Sequence, residues 1–516
     1  MLLKSYSTNY IDLLIKILLI NFVVFILIKL ISLIRSVKRY QTFAQKKGNI
    51  LFGNLFEVLP IFGDKTHLVR STLERYAKDF GQIGYGVFWL SWFPVIGVID
   101  YQRTQEILAK PSILEKGFPF EYLRYFIGDG ILCSSASKWK ERKRMIRPKF
   151  TAASVSNFVP TVTLKGQLLL KKLESVEGTC VDVTKFVSLT SLSILIKITL
   201  ATDVDEERLV SLDESLKCFI KGTLFRTINP FLWPDWSHSL YGCLTGLNSK
   251  IEQVDLLVKE AILNYLVSKT ESQPENGKFV YRAALDESIM VYLFDQILNE
   301  TESVDQAIEA TVEEMKTLFI AGYDGPNNAL VWLIYVLGLN NDVQEKIYQE
   351  VADFDEHLVD LDVIKQWTYT EQCVKEILRL FPPAPFASRL VTEDEPFNDK
   401  VLPKGAFIFF SIYSIHRDER IYSNATKFDP DRFEQSNASS LPSGSYIPFG
   451  LRPRDCIGQR FAMVQMKLLV ALLVKHFQIK STKPFEEIGQ EIDFTLKPTE
   501  PLYAFFNKRK NELYFS

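Results

Sequence analysis

Only six cysteines occur in the 516 residues, and no two of them form a C-x-x-C pair. That excludes a disulfide-built scaffold and a cysteine-rich zinc module. Histidine is as scarce. His67, His238, His357, His416 and His476 stand too far apart for an H-E-x-x-H metal helix. An excess of one charge is also lacking: 60 Lys+Arg oppose 62 Asp+Glu, a formal net charge of −2. A near-neutral chain is not a general nucleic-acid binder. No Gly-rich dinucleotide fingerprint, no repeat period and no long Pro/Gly-rich linker is found, so nothing marks a nucleotide module or separable halves. What is abundant is apolar material, 47% of residues with 38 Phe, enough for a large core. A length prior of roughly 150 residues per domain would suggest three domains. Without linkers, one large domain fits better.

One segment stands apart. Residues Ile17 to Ile34 (ILLINFVVFILIKLISLI) carry a single charge, Lys29. A bilayer core requires about 20 apolar residues as helix, and a lysine near one end snorkels to the headgroups. A cleaved signal peptide would have a shorter apolar core followed by a small-x-small site. Basic residues follow here instead: Arg35, Lys38, Arg39, Lys46 and Lys47, against Lys4 and Lys16 before it. The expectation is a single-pass transmembrane anchor in residues 1–40, with the remainder, 41–516, on the cytoplasmic side.

Beyond the anchor the chain reads as mostly α with a minor β portion. Helical periodicity marks Thr161 to Glu174, Val187 to Leu200, Lys250 to Ser268, Val304 to Leu339 and Asp342 to Phe354. Strand-like runs occur at Val95 to Ile99 and Ala406 to Ile412. Polar breaks at Ser272 to Lys278 and Gln435 to Ser445 read as surface loops.

The chemistry concentrates near the C-terminus. Cys456 directly precedes an apolar-periodic helix, Ile457 to His476. A thiolate there gains from the helix dipole and its free N–H groups. Arg454 can reach an anion beside it, and Gly458 allows close approach of a backbone or flat cofactor. An isolated cysteine is nevertheless most often a structural one.

Its neighbours decide the matter. The stretch from Phe449 to Ala462, with Phe449, Arg454, Cys456 and Gly458 in register, resembles the haem-ligand loop of the cytochromes P450, F-x-x-G-x-R-x-C-x-G. Glu376 and Arg379 match the family's E-x-x-R helix motif, and Pro430 to Phe433 its P-x-R-F segment. The resemblance runs from about residue 51 to the C-terminus. Tyr446 to Met463 and Gly128 to Trp139 look most like the microsomal fatty-acid ω-hydroxylase branch. The resemblance implies the cytochrome P450 fold, haem b held non-covalently with Cys456 as thiolate ligand, and a structural cluster of Glu376, Arg379 and Arg432. It implies haem-carboxylate contacts from Trp139, Lys143, Arg389 and Arg454, with Phe449 and Gly458 against the cofactor. A cysteine thiolate favours O–O cleavage at haem iron, so the implied activity is monooxygenation of a small apolar substrate, lipid-like or xenobiotic. The implied setting is the endoplasmic reticulum membrane. The implied partners are membrane lipid and NADPH-cytochrome P450 reductase, with cytochrome b5 a further candidate and no nucleic acid.

The departures from the family pattern are informative. Arg452 stands where the loop's middle glycine belongs, and an arginine at φ > 0 would be strained by roughly 1 kcal/mol or more. Gly325 replaces the threonine that helps deliver protons in the family. It leaves Asp324 as the remaining relay, and Pro326 should kink the helix. Lys143 replaces an arginine and loses its fork. Ala321 stands where the ω-hydroxylase branch often has a glutamate ester-linked to haem. Residues Lys46 to Asn54 stand where a proline-rich hinge is usual. Two other readings remain open on these grounds: an oxygen-independent hydroperoxide or endoperoxide rearrangement, and a haem protein without turnover.

Overall fold

Local capping chemistry and long-range apolar burial together define the helices. The computed structural model describes residues 20, 24, 27, 30–46, 48, 53–54, 57, 68–90, 93–118, 120–270 and 288–509. The proposed membrane span therefore lies largely outside the described residues, as do the loop at 272–278 and part of the 46–54 segment. Residues 30–40 are helical.

A first pair of strands, β1 (Tyr85–Leu90) and β2 (Phe93–Val98), forms an antiparallel hairpin. There follow helices α1 (Phe120–Ile127), α2 (Ala136–Ile146) and α3 (Val159–Glu174), the short strand β3 (Cys180–Asp182), and helices α4 (Val183–Leu200) and α5 (Glu206–Ile228). Next come α6 (Asp235–Thr245), α7 (Leu247–Thr270), α8 (Ile289–Leu298) and the long α9 (Val304–Leu337). The C-terminal part contains α10 (Asn341–Val351), α11 (Thr368–Leu380), β4 (Phe386–Leu390), β5 (Phe407–Ser411), α12 (Gln459–His476), β6 (Phe477–Ser481) and β7 (Tyr503–Lys508).

Asp182, Asp205, Ser288 and Ser303 cap α4, α5, α8 and α9 by accepting amide hydrogen bonds from the first turn. Helix α9 has 34 residues, about 50 Å at 1.5 Å per residue. Its C-terminal half is fully enclosed, with Leu330 to Leu337 at 1% exposure or less. It packs on α4, α7, α8, α11 and α12 and is the axis of the core. Pro326 lies inside this one continuous helix. Trp332 stacks on Phe381 at 4.0 Å between ring centroids, tying α9 to the end of α11.

Among the described residues one helix, Val183–Leu200, is long and apolar enough to cross a membrane. It is α4, and it is mostly buried against α9, which identifies it as a core helix.

The β portion is small. β1 and β2 join β5 and β4 in the order β1-β2-β5-β4, with β2 parallel to β5 (Val95 opposite Phe407) and β4 antiparallel to it (Arg389 opposite Ile408). A second sheet sets β7 between β3 and β6. The periodic segments read from sequence coincide with α3, α4, α7, α9 and α10, and the strand runs with β2 and β5, within a few residues at their ends.

Candidate active site

The site is held from below by a buried ion cluster. Glu376 and Arg379 lie one turn apart on α11, both with fully buried side chains. Arg379 donates from Nε and Nη2 to the two carboxylate oxygens, each at 2.7 Å. Its remaining donors reach the carbonyls of His416 (2.8 Å), Ala425 (2.6 Å) and Lys427 (3.2 Å). All five guanidinium N–H groups are thus used. Arg432 brings its Nε to 3.4 Å from Glu376 Oε1, and the Asp429 amide donates to the same oxygen at 3.0 Å. Burial pushes the Glu376 carboxyl up, while the Arg379 fork, the Asp429 amide and Arg432 oppose that.

The same cluster positions the loop ahead of Cys456. His416, whose carbonyl Arg379 holds, accepts the Ile447 amide at Nε2 (2.9 Å). The Tyr446 hydroxyl donates to the Lys375 carbonyl of α11 at 3.1 Å. From there the chain turns at Gly450, where φ is +75° and an added Cβ would meet nothing within 4 Å. The turn closes with a bond from the Cys456 amide to the Phe449 carbonyl at 2.9 Å.

This corrects the expectation for Arg452. Among the described non-glycine residues only Ala201, Asn398 and Asn424 have positive φ. Gly450 supplies the left-handed conformation two residues earlier, so Arg452, which is exposed, carries no such strain.

Cys456 sits at the entrance of α12, with Gly458 as the N-cap residue. Its side chain is accessible although deep in the molecule, the two properties of a recess floor. Its depth and the Asp455 carboxylate push its thiol up, while hydrogen bonds from the Gly458 and Gln459 amides and the charge of Lys116 favour the thiolate. An added Cβ at Gly458 would lie 3.9 Å from the sulfur. Asp455 is turned onto Lys143 of α2, which reaches Asp455 Oδ1 at 2.6 Å and the Pro453 carbonyl at 2.5 Å. Lys143 therefore braces the cysteine loop.

Three cations crowd the neighbouring wall. Arg454 stacks its guanidinium 4.5 Å over the buried Trp139 ring and donates to the Ser134 carbonyl at 3.1 Å. Its Nε and Nη1 are buried without a partner among the described residues. Arg389, on β4, donates to the Ser388 carbonyl, and its Nε likewise has no partner among the described residues. The third is Lys116. Its segment is pinned to β4, with Leu390 donating to the Glu115 carbonyl and Ser388 to that of Lys116. Gly117 (φ +62°) lets the chain lie flat there, since an added Cβ would come within 2.9 Å of Phe407. Nothing local in the sequence marks Lys116. Burial, then the charges of Arg389 and Arg454, push it down to about 7. Arg389 and Arg454 are each pushed down to about 10, chiefly by burial.

A lysine depressed by two arginines, which themselves keep buried donors unpartnered among the described residues, fits a ligand bearing carboxylates. Iron protoporphyrin IX has two carboxylates and an axial position for a thiolate, so the donor set fits haem. Lys116, Arg389 and Arg454 would take the carboxylates, Trp139 would back Arg454, and Cys456 would take the iron.

The middle of α9 forms another wall. Ala321 is exposed and Gly325 half-buried in a stretch otherwise mostly enclosed. They are one turn apart on one face. An added Cβ at Gly325 would meet only Pro383, at 3.9 Å. Asp324 is buried, and burial pushes its carboxyl up to about 6.

A sequence model of the cytochrome P450 family matches residues 45–505. Cytochrome P450 4V2 of Homo sapiens is 26% identical over 447 residues, covering 84% of each chain. Cytochrome P450 4p1 of Drosophila melanogaster is 27% identical over 478 residues, 88% of this chain and 89% of its own. Cytochrome P450 4c21 of Blattella germanica is 25% identical over 437 residues, 81% of this chain and 84% of its own.

Proposed function

The chain belongs to the cytochrome P450 family, and on that premise we propose that it is a membrane-anchored monooxygenase hydroxylating a small apolar substrate, lipid-like or xenobiotic. The observation that carries the reading is Cys456 at a helix N-terminus beside Lys116 and two arginines, Arg389 and Arg454, whose buried donors have no partner among the described residues. The bound haem, with its thiolate ligand, supplies dioxygen activation and transfer of one oxygen atom to a C–H bond. The protein's part is to hold the thiolate, neutralise the haem carboxylates and keep water from the reacting face. Asp324, raised by burial to about 6, can take up and release a proton near neutral pH within the helix that walls that face. Ala321 offers no carboxylate for an ester, so the haem is held non-covalently.

Apolar substrate is favoured by the apolar side chains of Phe126 and Ile127 of α1, Leu216 and Phe219 of α5, Val254 of α7 and Ile320 of α9, which line a narrow cleft beside Ala321. Electrons come from NADPH-cytochrome P450 reductase, with cytochrome b5 as a second donor, because no dinucleotide fingerprint exists in this chain. Residues 1–40 are the anchor and 41–516 the catalytic domain, facing the cytoplasm from the endoplasmic reticulum membrane. Exposed apolar side chains favour this: Leu30, Ile31, Ile34 and Val37 at the end of the proposed span, and Phe231, Trp236 and Leu244 around α6.

Gly325 favours a second reading, rearrangement of a hydroperoxide without dioxygen, since no side chain at 325 can donate a proton. The deciding experiment is the carbon monoxide difference spectrum of the reduced protein, followed by turnover. A Soret band at about 450 nm with reductase-dependent product supports the monooxygenase. A band near 420 nm refutes thiolate ligation, and product formed only from added hydroperoxide selects the second reading.

A further inference from the structure

Asp324 is contacted from a distant part of the chain. Residues Gln490–Ile492 and Leu496–Pro498 pair as a short antiparallel hairpin. Thr495 lies at its turn, 5% exposed. The Thr495 hydroxyl donates to Asp324 Oδ2 at 2.5 Å and accepts from Asn328 Nδ2 at 2.7 Å. Asn328, one turn beyond Asp324, also donates to Asp324 Oδ1 at 3.2 Å. The hairpin is fixed there because the Leu496 amide donates to the Pro383 carbonyl at 2.9 Å. Pro383 is also the residue that an added Cβ at Gly325 would meet. Thr495, Asp324, Gly325 and Pro383 are thus one cluster, built from three separate segments.

We propose that Thr495 is the positioning residue for Asp324, its hydroxyl reaching that carboxyl from the C-terminal hairpin and setting its rotamer and protonation. This rests on the reading of Asp324 as the proton-holding group of the monooxygenase site. Three facts favour it. The hydroxyl is committed in both roles, as donor to the carboxylate and acceptor from the amide, so its proton points at Asp324 and nowhere else. A hydrogen bond donated to a carboxylate stabilises the charged form, against the burial that raises it. The site is also enclosed, so this bond is not exchanged for water.

The surrounding charges are few. From the hairpin, Asp493 raises and Lys497 lowers the Asp324 carboxyl, and these two are paired with each other. Glu491 lies 3.4 Å from Lys497. On α9 the adjacent Tyr323 donates its hydroxyl to Asp213 of α5, which Lys217 neutralises at 2.6 Å. The segment Pro382 to Pro385 brings no titratable side chain.

The test compares Thr495→Val, which keeps shape and removes the hydroxyl, with Thr495→Ser, which keeps the hydroxyl, in the haem-loaded full chain. Infrared difference spectroscopy follows the protonated-carboxyl stretch of Asp324 against pH, assigned by its loss in Asp324→Asn. Thr495→Val is expected to raise the midpoint by about one pH unit, the equivalent of one charge-assisted hydrogen bond. Thr495→Ser is expected to leave it in place. In turnover, Thr495→Val should divert more NADPH-derived electrons to hydrogen peroxide, with KM unchanged and the pH profile displaced in the same direction. Should Thr495→Val not load haem, Thr495→Ala, which demands no repacking, is measured in the same way. A midpoint unmoved by loss of the hydroxyl, or moved equally in the serine variant, overturns the proposal. Failure of the monooxygenase reading would show separately, as absence of the thiolate spectrum or of reductase-driven product in the unsubstituted protein.

Discussion

Replacing Arg379 with alanine removes the only group that satisfies both oxygens of Glu376. The carboxylate is fully enclosed, and what remains to it is one amide at 3.0 Å and Arg432 at 3.4 Å. Three carbonyls, of His416, Ala425 and Lys427, lose their donor in the same step. Breaking a buried ion pair from one side costs about 3–5 kcal/mol. Set against a total of roughly 5–15 kcal/mol for a folded domain, that is enough to remove most of the loaded protein.

The mechanism also has a pH signature. With Arg379 gone, the folded-state pKa of Glu376 rises further above its unfolded value. A carboxyl raised in this way destabilises the fold when ionised and is relieved as pH falls through its folded pKa. The stability gap between wild type and Arg379→Ala should therefore narrow from pH 7 toward pH 5. The assay is urea unfolding of the haem-loaded proteins followed by circular dichroism at both pH values, with Glu376→Gln and the Glu376→Gln/Arg379→Ala double variant beside it. The double variant should fall short of the summed single effects by more than about 1 kcal/mol, because no buried charge is stranded. Strict additivity, together with a gap that does not change with pH, would refute the account.

Cys456→Ala should abolish the thiolate spectrum, and its retention would show that another residue ligates the iron. Lys116→Gln should weaken haem retention about tenfold, measured by transfer to apomyoglobin; unchanged retention would mean that Arg389 and Arg454 suffice for the haem carboxylates. Gly325→Thr should fold normally, because the space beside it is open to 3.9 Å, and should change the ratio of product to NADPH consumed. An unchanged ratio in that variant would point toward peroxide chemistry. Arg452→Gly should leave stability within about 0.5 kcal/mol of wild type or lower it, since residue 452 has no positive φ to relieve; a gain above 1 kcal/mol would restore the strain argument.

Much of the site was legible because its logic is local. A cysteine ahead of an apolar-periodic helix, and a Glu and an Arg three residues apart on one helix face, are spacings that a linear pattern records. The long α9 was legible despite Pro326, because its apolar period continues on both sides. Residue 452 misled the local reading. The glycine that matters conformationally is Gly450, and only the backbone path from His416 and Tyr446 shows it.

The sequence by itself determined the helical class, the extent of the main helices, the cysteine loop and the members of the ion cluster. The class and the helix extents follow from period along one stretch of chain; the cysteine loop and the cluster, whose Arg432 stands on a separate segment, follow from motifs that resemble the family's. Tertiary structure alone decided that Lys116 joins Arg389 and Arg454, that Lys143 turns to Asp455, and that Thr495 reaches Asp324 across 171 positions. Those relations depend on desolvation and on Coulomb interactions, which fall with distance in space and are indifferent to distance along the chain. No local pattern carries them until packing has brought the segments together.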